Sequence, residues 1–218
     1  MTHRCLLYYI TDRSQFPGDE SFRRRALLAK VAEAARAGIH YIQLREKDLS
    51  TRESETLARE VVELVRENSP STRLLINSRT DVALAAGADG VHLRADDVAA
   101  HEVRQVLEVS AHRPLTTDHF LVAASCHTAA DVFLAESEAA DFAVFAPVFG
   151  KIGAAGTSSA GLAALREACR AKIPVLALGG VTIENVASCL DAGAAGVAGI
   201  RLFQENKIED VVRTLRAL

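Results

Sequence analysis

AGIHYIQL (37–44), AGADGVHL (86–93), EAADFAVF (138–145) and AGAAGVAG (192–199) are four versions of one pattern. In each, a helix runs out on small residues, the chain turns, and an apolar β-rich run begins. Their starts lie 49, 52 and 54 residues apart. Each interval has room for two strand–helix units, so the echo marks every second strand of an alternating chain.

Between the echoes the expected units fall into place. Strands are read at LLYYIT (6–11), HYIQL (40–44), RLLIN (73–77), GVHL (90–93), FLVAAS (120–125), FAVFA (142–146), PVLAL (174–178) and AGVAG (195–199). Helices are read at 21–37, 51–67, 79–86, 97–109, 128–138, 160–171, 182–191 and 207–217. Strands alternating with helices imply a parallel sheet with right-handed crossovers. Their apolar runs suit strands covered on both faces. Eight of each predict an α/β fold, a (β/α)8 TIM barrel, in one domain spanning 1–218. A doubly wound sheet would more often hold about five or six strands. The Gly-rich stretch GKIGAAGTSS (150–159) reads as a long, mobile loop.

Composition narrows the function. Hydrophobic residues are 49% and charged residues 24% of the 218, enough apolar material for a core and too much for disorder. Aromatics are 5%, Trp is absent and the net charge is −3, which argues against nucleic acid as partner. The densest basic stretch, RRRALLAK (23–30), fits a helix better than a phosphate-backbone groove. Cys5, Cys126, Cys169 and Cys189 have neither zinc-site spacing nor disulfide-scaffold density, so reduced thiols in a cytoplasm are expected. No apolar run reaches membrane-span length, and Asp12 and Arg13 interrupt any signal-like N-terminus. Assembly into a homodimer is left open.

In such a barrel, chemistry sits where strands end. Gln43, Arg45 and Lys47 alternate after the second strand and share one side of an extended chain. They form either an anion site or a surface ion-pair network with Glu46 and Asp48. Gln43, an amide within an apolar strand, favours the anion site. Asn77 either orients a ligand or caps the following helix. His92 is either a barrel-interior histidine tied to a neighbour or a working group. Asp97 either holds a metal or caps a helix. Ser125, Cys126 and His127 end the fifth strand. Adjacent residues of an extended chain point oppositely, so a Cys126–His127 nucleophilic pair is not expected. His127 alone is the candidate acid/base, with helix capping the alternative for its neighbours Ser125 and Thr128. Gly179, Gly180, Gly199, Ile200 and Arg201 end the seventh and eighth strands, where barrels often hold phosphate on backbone N–H groups.

These residues carry a resemblance to the thiamin-phosphate synthase / TenI family of thiamin-biosynthetic barrels. It runs from YYITDR (8–13) to the last strand through QLREK (43–47), LIN (75–77), DVALAAGADGVHL (81–93), SCH (125–127), APVF (146–149) and LGGVTIENV (178–186). The resemblance implies a small phosphorylated heterocycle as partner. The synthase branch joins hydroxymethylpyrimidine diphosphate to a thiazole phosphate and releases pyrophosphate. It uses Mg²⁺ on two Asp residues, the Gln-x-Arg-x-Lys run, and a Thr-x-Thr-Lys loop. The TenI branch tautomerises a thiazole carboxylate phosphate with a His after the fifth strand and needs no cofactor. Here Ser78 stands for the first metal Asp, Asp97 matches the second, and GKIGAAG (150–156) replaces the Thr-x-Thr-Lys loop. Arg94 either supplies charge to a phosphate tail or fills the metal volume, and Lys151 is the one cation of GKIGAAG, so both are candidates for a diphosphate. These departures favour the tautomerase, with the synthase as alternative and a catalytically silent binding protein on the same barrel as third reading.

Overall fold

The computed structural model describes residues 5–109, 119–150 and 159–217. Lys151 and most of the expected mobile loop lie outside them. The strands are β1 (Leu6–Ile10), β2 (Tyr41–Leu44), β3 (Arg73–Asn77), β4 (Gly90–Leu93), β5 (Leu121–Cys126), β6 (Phe142–Phe145), β7 (Val175–Ala177) and β8 (Gly196–Gly199). All pair in parallel with their sequence neighbours, and β8 pairs with β1 to close the barrel. The helices are α1 (Glu20–Arg36), α2 (Thr51–Asn68), α3 (Thr80–Ala86), α4 (Ala100–Val109), α5 (Ala129–Ser137), α6 (Gly161–Ala168), α7 (Val186–Asp191), α8 (Arg201–Gln204) and α9 (Ile208–Arg216). The eight strands are those expected, and each of the eight expected helical runs has its helix among the described residues, with α8 in addition.

Two helices start later than their sequence suggests, for the same reason. The Asn185 side chain accepts from the Thr182 N–H (2.8 Å) and donates to the Gly180 carbonyl (2.9 Å). This local ring satisfies the backbone without a helix, so α7 begins at Val186. Asp97 is likewise drawn to the Arg94 N–H and the Ser78 hydroxyl, and α4 begins at Ala100. Asp97 therefore caps a turn and not the helix. The short helix α8, absent from the expected units, follows β8 directly.

The core has two shells. Val31, Val61, Val82 and Val132 from helices pack on outward strand residues such as Leu7, Ile42 and Leu74. Inside the barrel, Tyr8, Leu75, Ala123, Phe142, Val144, Leu176 and Ala198 form a second, smaller cluster. Inner residues recur every two positions. Tyr8 meets Phe142 edge-on with ring centroids 5.6 Å apart.

Candidate active site

Followed to the strand ends, the inner alternation lays the floor of a cavity of about 750 Å³. Ile10, Val144, Leu178 and Ile200 supply its apolar part, and Gln43, Asn77, His92 and Ser125 its polar part. This volume suits a small-molecule ligand. The buried Gln43 amide donates from Nε2 to Asn77 Oδ1 (2.9 Å). Asn77 thus belongs to the floor. The residue that precedes α3 is Arg79, and it makes no side-chain cap.

His92 is buried, with Nδ1 2.9 Å from the Tyr8 hydroxyl and Nε2 2.8 Å from the Ser125 hydroxyl. Burial first, and the positive charge of Arg45 second, push its pKa from 6.5 down to about 3. It is a neutral interior histidine that orients Ser125. Cys126 points outward into the core, and burial, with a smaller effect of Asp131, pushes its thiol up to about 12. Such a thiol is no nucleophile at neutral pH.

His127 turns the other way, into the cavity. Its backbone N–H donates to Asp131 (2.9 Å), and Thr128 with Asp131 forms the capping box of α5. The ring is fixed by Nδ1, 2.7 Å from the Ala146 carbonyl oxygen. A carbonyl only accepts, so Nδ1 carries the proton and the neutral ring keeps a lone pair on Nε2. That is the arrangement of an oriented acid/base.

Arg45, Lys47, Arg79 and Arg94 line the same cavity. The ion-pair alternative for Arg45 and Lys47 fails. Glu46 and Asp48 are held by Arg13, through Nη1 to Glu46 Oε2 (3.1 Å) and to Asp48 Oδ1 (2.7 Å). Among the described residues, no carboxylate forms an ion pair with Arg45 or Lys47. Arg13 went unnoticed in the sequence as a site residue. Its partners are 33 and 35 positions away, and no local pattern signals them.

Ser78 has φ of +60°, a left-handed conformation that non-glycine residues seldom adopt. Its N–H donates to the His92 carbonyl (2.9 Å), and its hydroxyl to Asp97 Oδ2 (2.6 Å). The same carboxylate oxygen accepts from the Arg94 N–H at 2.7 Å. Arg94 itself is ion-paired with Asp96.

Of the remaining expected residues, Ile200 lines the cavity, whereas Gly179, Gly180, Gly199 and Arg201 do not form its wall. A Cβ on Gly179 would stand 2.7 Å from Pro147 Cα, and one on Gly180 would stand 2.8 Å from the Gly150 carbonyl. These glycines are needed for close packing of the loop after β6, whatever binds nearby. Both have positive φ, +95° and +62°.

The thiamine monophosphate synthase family model matches residues 7–203. The chain belongs to that family. It is 38% identical to a putative thiamine-phosphate synthase 2 of Aquifex aeolicus, covering 91% of this chain and 97% of the relative. It is 36% identical to the thiamine-phosphate synthase of Methanoculleus marisnigri, covering 96% and 93%. Among solved structures, a thiamine phosphate pyrophosphorylase from Pyrococcus furiosus superposes with a TM-score of 0.78 at 28% identity, covering 97% of this chain and 94% of that one. A 3-hexulose-6-phosphate synthase, at 16% identity and a TM-score of 0.66, shares the barrel alone.

The synthase branch of this family implies Mg²⁺, and the residues here do not compose a site for it by themselves. Asp97 Oδ2 already accepts two hydrogen bonds, and Asp96 neutralises Arg94. Among the described residues, no three His, Cys, Asp or Glu side chains gather in a metal-holding group. Mg²⁺ wants hard oxygens in near-octahedral geometry.

Proposed function

We propose that this thiamine monophosphate synthase family member is a thiamin-phosphate synthase, a transferase that joins hydroxymethylpyrimidine diphosphate to a thiazole phosphate. The observation that carries this reading is the pair Arg45 and Lys47, which no carboxylate among the described residues claims, beside the Gln43–Asn77 amide pair. Departure of pyrophosphate builds negative charge on the leaving group, and preset cations stabilise it without reorganising. Arg79 and Arg94 line the same cavity, but Asp81 and Asp96 pair with them, so Arg45 and Lys47 carry its positive potential. The names of the relatives point the same way. We further propose that the thiazole phosphate binds at the loops after β7 and β8, around Gly179, Gly180, Gly199, Ile200 and Arg201, of which Ile200 lines the cavity. Backbone N–H groups there would hold it.

The tautomerase reading keeps one specific observation in its favour, the lone pair of His127 Nε2 presented to the cavity. One assay separates the two. Purified protein is given either the pyrimidine diphosphate with the thiazole phosphate or the thiazole carboxylate phosphate alone, each with and without Mg²⁺. Pyrophosphate release is the expected result. Isomerisation of the carboxylate with no pyrophosphate release overturns the synthase reading.

Magnesium is expected to bind only together with a diphosphate, whose oxygens complete the ligand set. Calorimetric titration of the ligand-free protein checks this. A dissociation constant at or below about 0.1 mM, or about 5.5 kcal/mol of binding, that weakens in Asp97→Asn would overturn it.

A further inference from the structure

The sequence Arg45-Glu46-Lys47-Asp48 places two carboxylates beside the two cations that the cavity needs free. Glu46 also lies on the cavity wall, and its side chain is 2% exposed. Carboxylates left charged there would draw on Arg45 and Lys47 and repel an incoming anion; burial pushes the Glu46 carboxyl up, and its bonds from Thr11 and Arg13 oppose that. The structure prevents this from the other strand. Arg13, in the 3₁₀ turn after β1, sends its backbone N–H to Glu46 Oε2 (3.0 Å) and Nη1 to the same oxygen (3.1 Å). Nη1 and Nη2 reach the two oxygens of Asp48 at 2.7 and 2.9 Å. Nε goes to Glu20 at 2.7 Å. The second oxygen of Glu46 takes the Thr11 hydroxyl at 2.6 Å, and that hydroxyl accepts from the Arg45 N–H at 3.0 Å.

We propose that Arg13 is a positioning residue for the anion site: it neutralises Glu46 and Asp48 so that Arg45 and Lys47 remain available to a diphosphate. The proposal rests on the synthase reading of Arg45 and Lys47. Burial alone opposes the charge of Arg13, and its bonds to Asp48, Glu20 and Glu46 outweigh that and hold it protonated. The planar fork suits this task, because one guanidinium serves three carboxylates at once.

The test is calorimetric titration of the full chain with inorganic pyrophosphate at fixed ionic strength. Arg13→Gln is expected to weaken binding at least about tenfold, as uncompensated charge does at an ionic site. The triple variant Arg13→Gln with Glu46→Gln and Asp48→Asn removes both liberated charges and is expected to regain affinity to within about threefold of wild type. A purely structural role would instead lower the binding-competent fraction and the melting temperature, with an unchanged dissociation constant. If Arg13→Gln does not fold, Arg13→Lys keeps one charge without the fork and is expected to bind at least about threefold more weakly. Wild-type affinity in Arg13→Gln or Arg13→Lys, or no recovery in the triple variant, overturns the proposal alone. Failure of wild type to bind pyrophosphate, or indifference to Lys47→Gln, overturns the synthase reading and the proposal with it.

Discussion

His92 shows how one side chain couples the barrel interior to the site. Its two ring nitrogens face the Tyr8 and Ser125 hydroxyls, and burial holds its pKa at about 3. The unfolded chain, with the ordinary value of 6.5, takes up the proton first as pH falls. Its contribution to stability is therefore complete above pH 6.5 and is lost from there toward pH 3, at about 1.4 kcal/mol per pH unit. Between pH 7 and 5, wild type should lose about 2 kcal/mol more than His92→Asn in urea unfolding. Parallel pH dependences would show that His92 is not the buried neutral group. His127 makes the opposite case, a ring oriented by one bond and open at the other nitrogen. Acid/base groups contribute about 10²–10⁴-fold, so His127→Asn should cost that much in kcat if the reaction is tautomerisation. In synthesis the loss should be smaller, because Arg45 and Lys47 stabilise the leaving group. Steady-state kcat of both proteins, with each substrate set, checks this.

At the scale of an element, the turn between β7 and α7 carries the sharpest steric demand near the site. Gly179 has φ of +95°, and a Cβ there would meet Pro147 Cα and Cβ, both at 2.7 Å. Gly179→Ala should cost about 2–4 kcal/mol from backbone strain and displaced loop, read by denaturant unfolding. A loss below about 0.5 kcal/mol, the range of an ordinary surface change, would mean that the loop after β6 yields freely. Gly180→Val meets the same kind of obstacle. A side chain there would strike Phe149 and the Gly150 carbonyl, so lost phosphate binding in that variant would not by itself locate the phosphate. Paired glycines after a strand read in sequence as room for an anion. In the folded chain, another loop occupies the room beside their α-carbons.

For the molecule as a whole, closure depends on how near β8 comes to β1. A Cβ on Gly196 would stand 2.0 Å from the Leu6 carbonyl oxygen, and one on Gly90 would stand 2.3 Å from that of Leu121. Both glycines begin strands within the repeated pattern. Gly196→Ala must push β1 and β8 apart along Leu6–Tyr9 and Gly196–Gly199, whose pairing seals the barrel. A loss of more than about 4 kcal/mol, or failure to fold, is expected. Near-wild-type urea unfolding would show that the seam tolerates a side chain and that closure has slack.

The repeat and the strand order were legible in the sequence because they follow from local periodicity, whereas Asn77 and His92 each kept two readings there. The two-residue period of an extended strand sets which residues face inward, and the strand ends then carry Gln43, Asn77, His92 and Ser125 to one layer. His127 and the Arg45–Lys47 pair were legible for the same reason, as polar groups at strand ends. Partnership was not. Whether Arg45 and Lys47 would pair with Glu46 and Asp48, or be spared, depended on Arg13 arriving from 33 residues away. Whether Asp97 would cap α4, or instead join Ser78 and the Arg94 N–H, depended on the β3 and β4 ends lying side by side. A hydrogen bond or ion pair joins whichever groups the folded chain brings within about 3 Å, and for residues so distant in sequence only the pairing of β1 with β2 and of β3 with β4 decides which groups those are.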